Sequence, residues 1–273
     1  WVVSPLVGGV IAYLLMISIR KLILDTEAPF LSAKRWGPAY VFLVGFVIAL
    51  VTLFKGLKHL DLDLSVPMSF FWATVVGAIV AAIGWLMIRR VKVDEAADRD
   101  FHFASVEKVF TPMMLFTAAA MAFAHGSNDV ANGVGPLAAV YALVQSGGEV
   151  TQKSGLPLWV LLLGGFGIVL GLATYGYRVM MTIGKRITAL TPSRGFCATL
   201  AAAATVVLAS RTGMPVSTTH IAVGAVVGVG LARSLAVIDL RVVGGIFVSW
   251  VVTLPIAAVL SAIVFTILRA IFG

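Results

Sequence analysis

Charge is scarce in this sequence. Of its 273 residues only 12% are Asp, Glu, Lys or Arg, whereas 60% are apolar, and the mean hydropathy is +1.04. So little polarity cannot cover the surface of a soluble domain of this length, which excludes water-soluble fold classes. Cysteine occurs once, at Cys197, so an intrachain disulfide is excluded. Neither a cysteine pair nor a His-x-x-x-His spacing exists, and no transition-metal site is encoded. A P-loop is missing too: Gly184-Lys185 is followed by Arg186 and lacks the earlier glycine, which points to coupling through an ion gradient instead of ATP.

The few charges have a pattern. The formal net charge is +8, and the cations gather at the ends of apolar segments: Arg20 and Lys21, Lys34 and Arg35, Arg89 to Lys92, Lys185 to Arg194, Arg233 and Arg241. This is the arrangement of cytoplasmic loops under the positive-inside rule, and it needs no nucleic acid as partner. Apolar runs occupy 1–24, 39–54, 68–88, 107–124, 134–145, 157–181 and 242–267, several near the roughly 20 residues that span hydrocarbon. The expected fold class is all-α, a multi-pass transmembrane helical protein. Residues 89–102, R-R-V-K-V-D-E-A-A-D-R-D-F-H, form the most polar stretch and read as a solvated connector.

Two regions depart from simple spans. The apolar halves 196–210 and 221–232 reach only about 22 and 18 Å at the helical rise, short of a core of roughly 30 Å. Both outer flanks are basic, so a re-entrant hairpin is expected over 195–232, with S-R-T-G-M-P-V-S-T-T-H at its tip. An ordinary span over 217–236 is the alternative. The second region is H-G-S-N-D-V-A-N-G-V-G at 125–135, which falls inside an apolar run. Gly126, Gly133 and Pro136 bracket it, and a helix break is expected there, giving one interrupted crossing over 107–147.

The polar groups of these regions are the candidate site. A charge such as Asp129 in an apolar run costs about 2.5–3.5 kcal/mol on insertion scales and is kept where it faces the interior with a partner. Asp129, Asn128 and Asn132, with carbonyls freed by a break, offer hard oxygen ligands for Na⁺ or a proton path. Asparagines that only bond neighbouring helices are the alternative. In Pro215-Val216-Ser217-Thr218-Thr219-His220 the proline suits a helix start and the hydroxyls suit capping. The same helix N-terminus suits an oxyanion. Arg211 either adds charge to the site or snorkels to an interface. His125 and His220 flank the motifs as auxiliary ligands, proton relays or packing groups.

An internal echo adds a third clue. W-V-V-S-P begins at Trp1 and W-V-V-T-L-P at Trp250, each followed nineteen residues later by arginine, Arg20 and Arg269. The expected organisation is a closing repeat helix over 1–24, two connecting helices and a charged cytoplasmic loop over 25–105, and a complete second repeat over 106–273. The body of a first repeat would then be absent from this chain.

Taken together, G-S-N-D-V-A-N (126–132), G-M-P-V-S-T-T-H (213–220) and the upstream T-P-S-R-G-F resemble the PiT family of inorganic phosphate transporters, in its bacterial branch. The resemblance implies an inverted-repeat fold with broken helices and secondary symport of phosphate with Na⁺ or H⁺ by alternating access. It implies a bacterial inner-membrane location, no enzymatic activity and no cofactor. Carried onto this sequence, it implies phosphate at Ser217, Thr218, Thr219 and Asn128, and the cation at Asp129, Asn128 and Asn132, with Na⁺ on Asp129 if coupling is to sodium. The family carries both motifs in each repeat, whereas one copy of each is present here. The expected partners are therefore a second copy of the chain or the missing half. A sulfate or other oxyanion symporter, an inactive half-subunit, and an intramembrane hydrolase using Ser217, a histidine and Asp129 are the other readings.

Overall fold

The computed structural model describes residues 2–53, 65–92, 103–148, 157–212 and 214–272. Trp1, most of the connector at 89–102 and the side chain of Arg211 lie outside the described residues. The described chain is helical throughout, without strands. The elements are α1 (Val3–Ile19, ending in a π-helical turn Arg20–Leu24), α2 (Pro29–Val51), α3 (Val66–Arg90), α4 (Ala104–Gln145), α5 (Leu158–Gly171), α6 (Pro192–Thr212), α7 (Thr218–Leu231) and α8 (Leu240–Phe272). Helix α5 continues to Arg186, loosened into π-helical turns at Leu172–Gly176 and Thr182–Arg186. Among the described residues, seven helical stretches are long and apolar enough to cross a membrane. The protein is a multi-pass membrane protein.

Helix starts follow local chemistry. Proline stands in the first turn of α2 and of α3, where its missing N–H has no helical partner to lose. Because α2 begins at Pro29, Lys34 and Arg35 sit on its first turns, not in the loop that the apolar run at 39–54 suggests. Three glycines let α2 and α3 approach closely. A Cβ on Gly45 would lie 2.8 Å from Val80, one on Gly77 3.0 Å from Phe42, and one on Gly84 2.6 Å from Val41.

The centre of the molecule is α1, α6, α7 and the first half of α4. Their buried side chains include Met16, Phe110, Phe196, Val206 and Ile221. Helix α7 crosses α1 almost backbone to backbone: a Cβ on Gly224 would sit 2.1 Å from the Pro5 carbonyl oxygen, and one on Gly228 2.1 Å from that of Gly9. This is a small-xxx-small crossing, in which contact between backbones replaces the hydrophobic drive that lipid removes. Arg20 then donates to the Ala232 carbonyl at 2.6 Å, closing the C-terminal end of α7.

The hairpin is present, in asymmetric form. Helix α7, with 14 residues, rises about 21 Å and cannot cross the core alone. Helix α6 begins at Pro192 and has 21 residues, about 31 Å, so it is longer than the half-helix expected over 196–210. The two bases lie at one end, where Asp239 N–H donates to the Ile187 carbonyl at 3.0 Å.

The helix break expected near Gly126 and Pro136 does not occur. Helix α4 runs unbroken for 42 residues through Gly126, Gly133, Gly135 and Pro136. A helical glycine costs only about 1 kcal/mol relative to alanine, less than leaving backbone groups unpaired in hydrocarbon. The break of this region sits instead at 214–217, between α6 and α7.

Candidate functional site

Because α4 is continuous, its motif residues share helical faces: those at 128, 129 and 132 meet the hairpin tip, and His125 stands one turn before Asp129. The tip supplies a backbone problem: Val216 precedes α7 in non-helical conformation, and its side chain is buried. Its carbonyl accepts from Asn128 Nδ2 at 3.1 Å and from Asn132 Nδ2 at 3.3 Å. Two side-chain amides one helical turn apart thus satisfy one orphan carbonyl next to a helix start.

Asp129 completes the contact. Its Oδ1 accepts from the Thr218 hydroxyl at 2.8 Å and from Asn128 Nδ2 at 3.3 Å, and its Oδ2 lies 2.7 Å from His125 Nε2. His125 and Asp129 are one turn apart on α4, so the pair comes from i,i+4 spacing. Thr218 is fully buried and Asn128 nearly so. Charge-assisted bonds of this kind are short and strong, and they offset part of the cost of desolvating the carboxylate.

The other candidates are placed differently. Ser217 caps α7, its Oγ accepting from the His220 backbone N–H at 3.3 Å. Thr219 is half-buried on the first turn of α7 and takes no part in the bonds around Asp129. The ring of His220 stacks on that of Trp250, centroids 3.7 Å apart, so His220 belongs to the α7–α8 contact and not to the Asp129 cluster. A triad of Ser217, His220 and Asp129 is therefore not assembled. Arg211 stands in the last turn of α6. The structure brings together Asn128, Asp129, Asn132, His125 and Thr218.

Sequence reasoning missed two partners. The Val216 carbonyl is a main-chain group and leaves no mark in side-chain patterns. Glu107 is buried at 9% exposure and accepts from Ser193 N–H at 2.7 Å and Ser193 Oγ at 2.8 Å. It thereby places a carboxylate at the N-terminus of α6, where the dipole favours it. The proximity of Pro192 and Ser193 to a helix start was the available signal.

The donor set suits hard ions. Each asparagine that donates through Nδ2 keeps Oδ1 as an acceptor. Carboxylate, amide and carbonyl oxygens together resemble a site for Na⁺ more than for a transition metal. Among the described residues no group of three or more His, Cys, Asp or Glu side chains converges.

Comparisons with known proteins identify the family. The sequence profile of the phosphate transporter family matches residues 1–261. A Haemophilus influenzae protein named "Putative phosphate permease" is 46% identical over 276 residues, covering 100% of this chain and 65% of its own length. A Pyrococcus abyssi protein of the same description is 44% identical over 268 residues, covering 98% of this chain and 64% of its own. A solved structure named "The sodium-dependent phosphate transporter" superposes with a TM-score of 0.83 at 36% identity, covering 100% of this chain and 66% of that one. The chain thus spans just under two thirds of the length of these proteins. Family members are transporters, not enzymes, and this chain belongs to the phosphate transporter family.

Proposed function

We propose that this chain supplies one phosphate- and cation-handling site of a secondary transporter that moves inorganic phosphate together with Na⁺ or H⁺ across a bacterial inner membrane. The observation that carries the reading is the contact between the Asn128–Asp129–Asn132 face of α4 and the Val216–Thr218 tip of the hairpin. A half-buried carboxylate within a membrane-spanning helix, bonded across two elements, marks an ion pathway in membrane proteins. The start of α7 presents first-turn N–H groups and the Ser217, Thr218 and Thr219 hydroxyls, which suit an oxyanion. Asp129, Asn128 and Asn132 supply the cation's oxygens, and the Val216 carbonyl, which accepts from both asparagine amides, orients them. The structural neighbour is sodium-dependent by name, which favours Na⁺ over H⁺.

Alternating access follows if the hairpin tip and α4 separate in one state and close in the other. The bonds from Thr218 to Asp129 and from the asparagines to Val216 are then the closure. A cation at Asp129 competes with His125 and Thr218 for the same two oxygens, so binding and closure act on one group.

The test is uptake of labelled phosphate into proteoliposomes containing the chain, with an imposed Na⁺ or H⁺ gradient and sulfate as competitor. Gradient-driven uptake that excess sulfate spares supports the reading. Uptake that sulfate abolishes would replace phosphate with a broader oxyanion substrate. Uptake indifferent to both gradients would refute symport.

A further inference from the structure

A second polar cavity lies at the other end of the hairpin, away from Asp129. It has a volume of about 320 Å³ and is lined by Arg20, Asp25, Glu107, Ser193, Arg194 and Arg233, among others. Glu107 and Asp129 stand on the same helix and are separated by about 33 Å at the helical rise, so the two regions are distinct sites. The basic segment ends surround this cavity, which puts it on the cytoplasmic face.

Its charges are unevenly spent. Asp25 pairs with Arg20 at 3.3 Å, and Arg20 also holds the Ala232 carbonyl. Both carboxylate oxygens of Glu107 are taken by Ser193 at the start of α6. Arg194 donates to the Ala189 carbonyl at 2.7 Å through one nitrogen, and among the described residues most of its five donors have no other hydrogen-bond partner. Arg233 is exposed, and among the described residues no carboxylate pairs with it. Among the described residues the cavity thus holds three guanidinium groups against two carboxylates, both already engaged. The two least-occupied guanidinium groups stand on the first turn of α6 and in the turn just after α7.

Planar guanidinium pairs are the side chains best shaped for bidentate contact with phosphate oxygens. We propose that this cavity is a cytoplasmic site for a phosphate-bearing anion, held by Arg194 and Arg233 across the base of the hairpin. The anion is either orthophosphate or the headgroup of an anionic phospholipid. Bound there, it ties the base of α6 to the end of α7 and stabilises the closed base of the element whose tip carries Thr218. The proposal does not depend on the transport reading, since it concerns a cavity that shares no residue with the Asp129 cluster.

The experiment uses the purified chain in Na⁺-free buffer. Binding at this cavity is told from binding at the hairpin tip by its response to substitution of Arg233, which lines the cavity and lies away from the tip. Two probes are applied: labelled orthophosphate by equilibrium binding in delipidated protein, and retention of phosphatidylglycerol against phosphatidylcholine by native mass spectrometry. Saturable binding of orthophosphate, or selective retention of phosphatidylglycerol, is expected, and the arm that responds identifies the source. Arg233→Gln should weaken that binding about tenfold, the loss of one charge-assisted hydrogen bond, and Arg233→Lys should recover part of it. Because the exposed Arg233 side chain pairs with no carboxylate among the described residues, elution of the variant as a monodisperse peak is expected and checks that it is folded. Absence of binding in both arms, or binding that Arg233→Gln leaves unchanged, overturns the proposal.

Discussion

Helices α1 and α8 carry nearly the same words, W-V-V-S-P at the entry to α1 and W-V-V-T-L-P from Trp250 inside α8, and meet opposite fates. The first buries Ser4, Pro5, Gly8, Ala12, Met16 and Ile19. The second has 33 residues, the highest hydropathy of the candidate spans, and no buried residue. Hydropathy therefore measures immersion in lipid and says little about packing against protein. What separates the two helices is the partner's backbone. Helix α1 meets Gly224 and Gly228 of α7 and presents Gly8 and Gly9 in return. The glycines of α8, Gly244 and Gly245, have nothing within 4 Å, and its main contacts are side chains such as Trp250 against His220.

The sharpest way to break this contrast is Gly228→Val. Its Cβ would meet the Gly9 backbone at 2.1 Å, and backbone cannot rotate aside as a side chain can. The expected cost is about 3 kcal/mol or more, at the upper end for overpacked cores. Heating in detergent with a thiol-reactive dye reads it out, because Cys197, the one cysteine, is fully buried and reacts only on unfolding. A melting curve like that of the native sequence would mean that α1 and α7 are not held by this crossing.

A smaller loss is expected from Glu107→Gln. The isosteric amide keeps the volume but removes the negative charge at the N-terminus of α6, a loss of about 1 kcal/mol. The same thermal assay should show a modest shift, reduced further at high salt. No change would make Glu107 a packing residue only.

The smallest effect belongs to α8. Gly244→Ala and Gly245→Ala enter open space and should leave stability unchanged or raise it by up to about 1 kcal/mol through helix propensity. A marked loss would show that this face of α8 is covered in the native assembly, and the contrast with α1 would narrow.

Much of this is legible in the sequence. Span positions follow from apolar runs, and the hairpin follows from two short runs with basic flanks on one side. Asp129 stands out by its cost in hydrocarbon, and Thr218 by its place at a helix start. The expected break of α4 fails because a helical glycine costs only about 1 kcal/mol, and a helix inside a membrane accommodates a proline where neighbouring groups satisfy the freed carbonyl. A fully broken backbone there would find no water. The α1–α7 crossing leaves a readable trace in the Gly224-x-x-x-Gly228 spacing, although the partner Gly8-Gly9 lies far away in sequence. The Val216 carbonyl leaves none, since only the tertiary fold decides which main-chain group two asparagines reach. Sequence places His220 beside the motif, and stacking on Trp250 turns it away.

The central claim is that Asp129, tied to the hairpin tip through Thr218, couples cation to phosphate. The measurement that tests it most directly is phosphate affinity of the purified chain as a function of Na⁺ concentration, in the native sequence, Thr218→Val and Asp129→Asn. Coupling is reciprocal, so Na⁺ should tighten phosphate binding in the native sequence. Thr218→Val should weaken that dependence by about tenfold, as expected for one hydrogen bond to a charged group, and Asp129→Asn should flatten it. An Asp129→Asn variant whose phosphate affinity still rises with Na⁺ as in the native sequence would contradict the account.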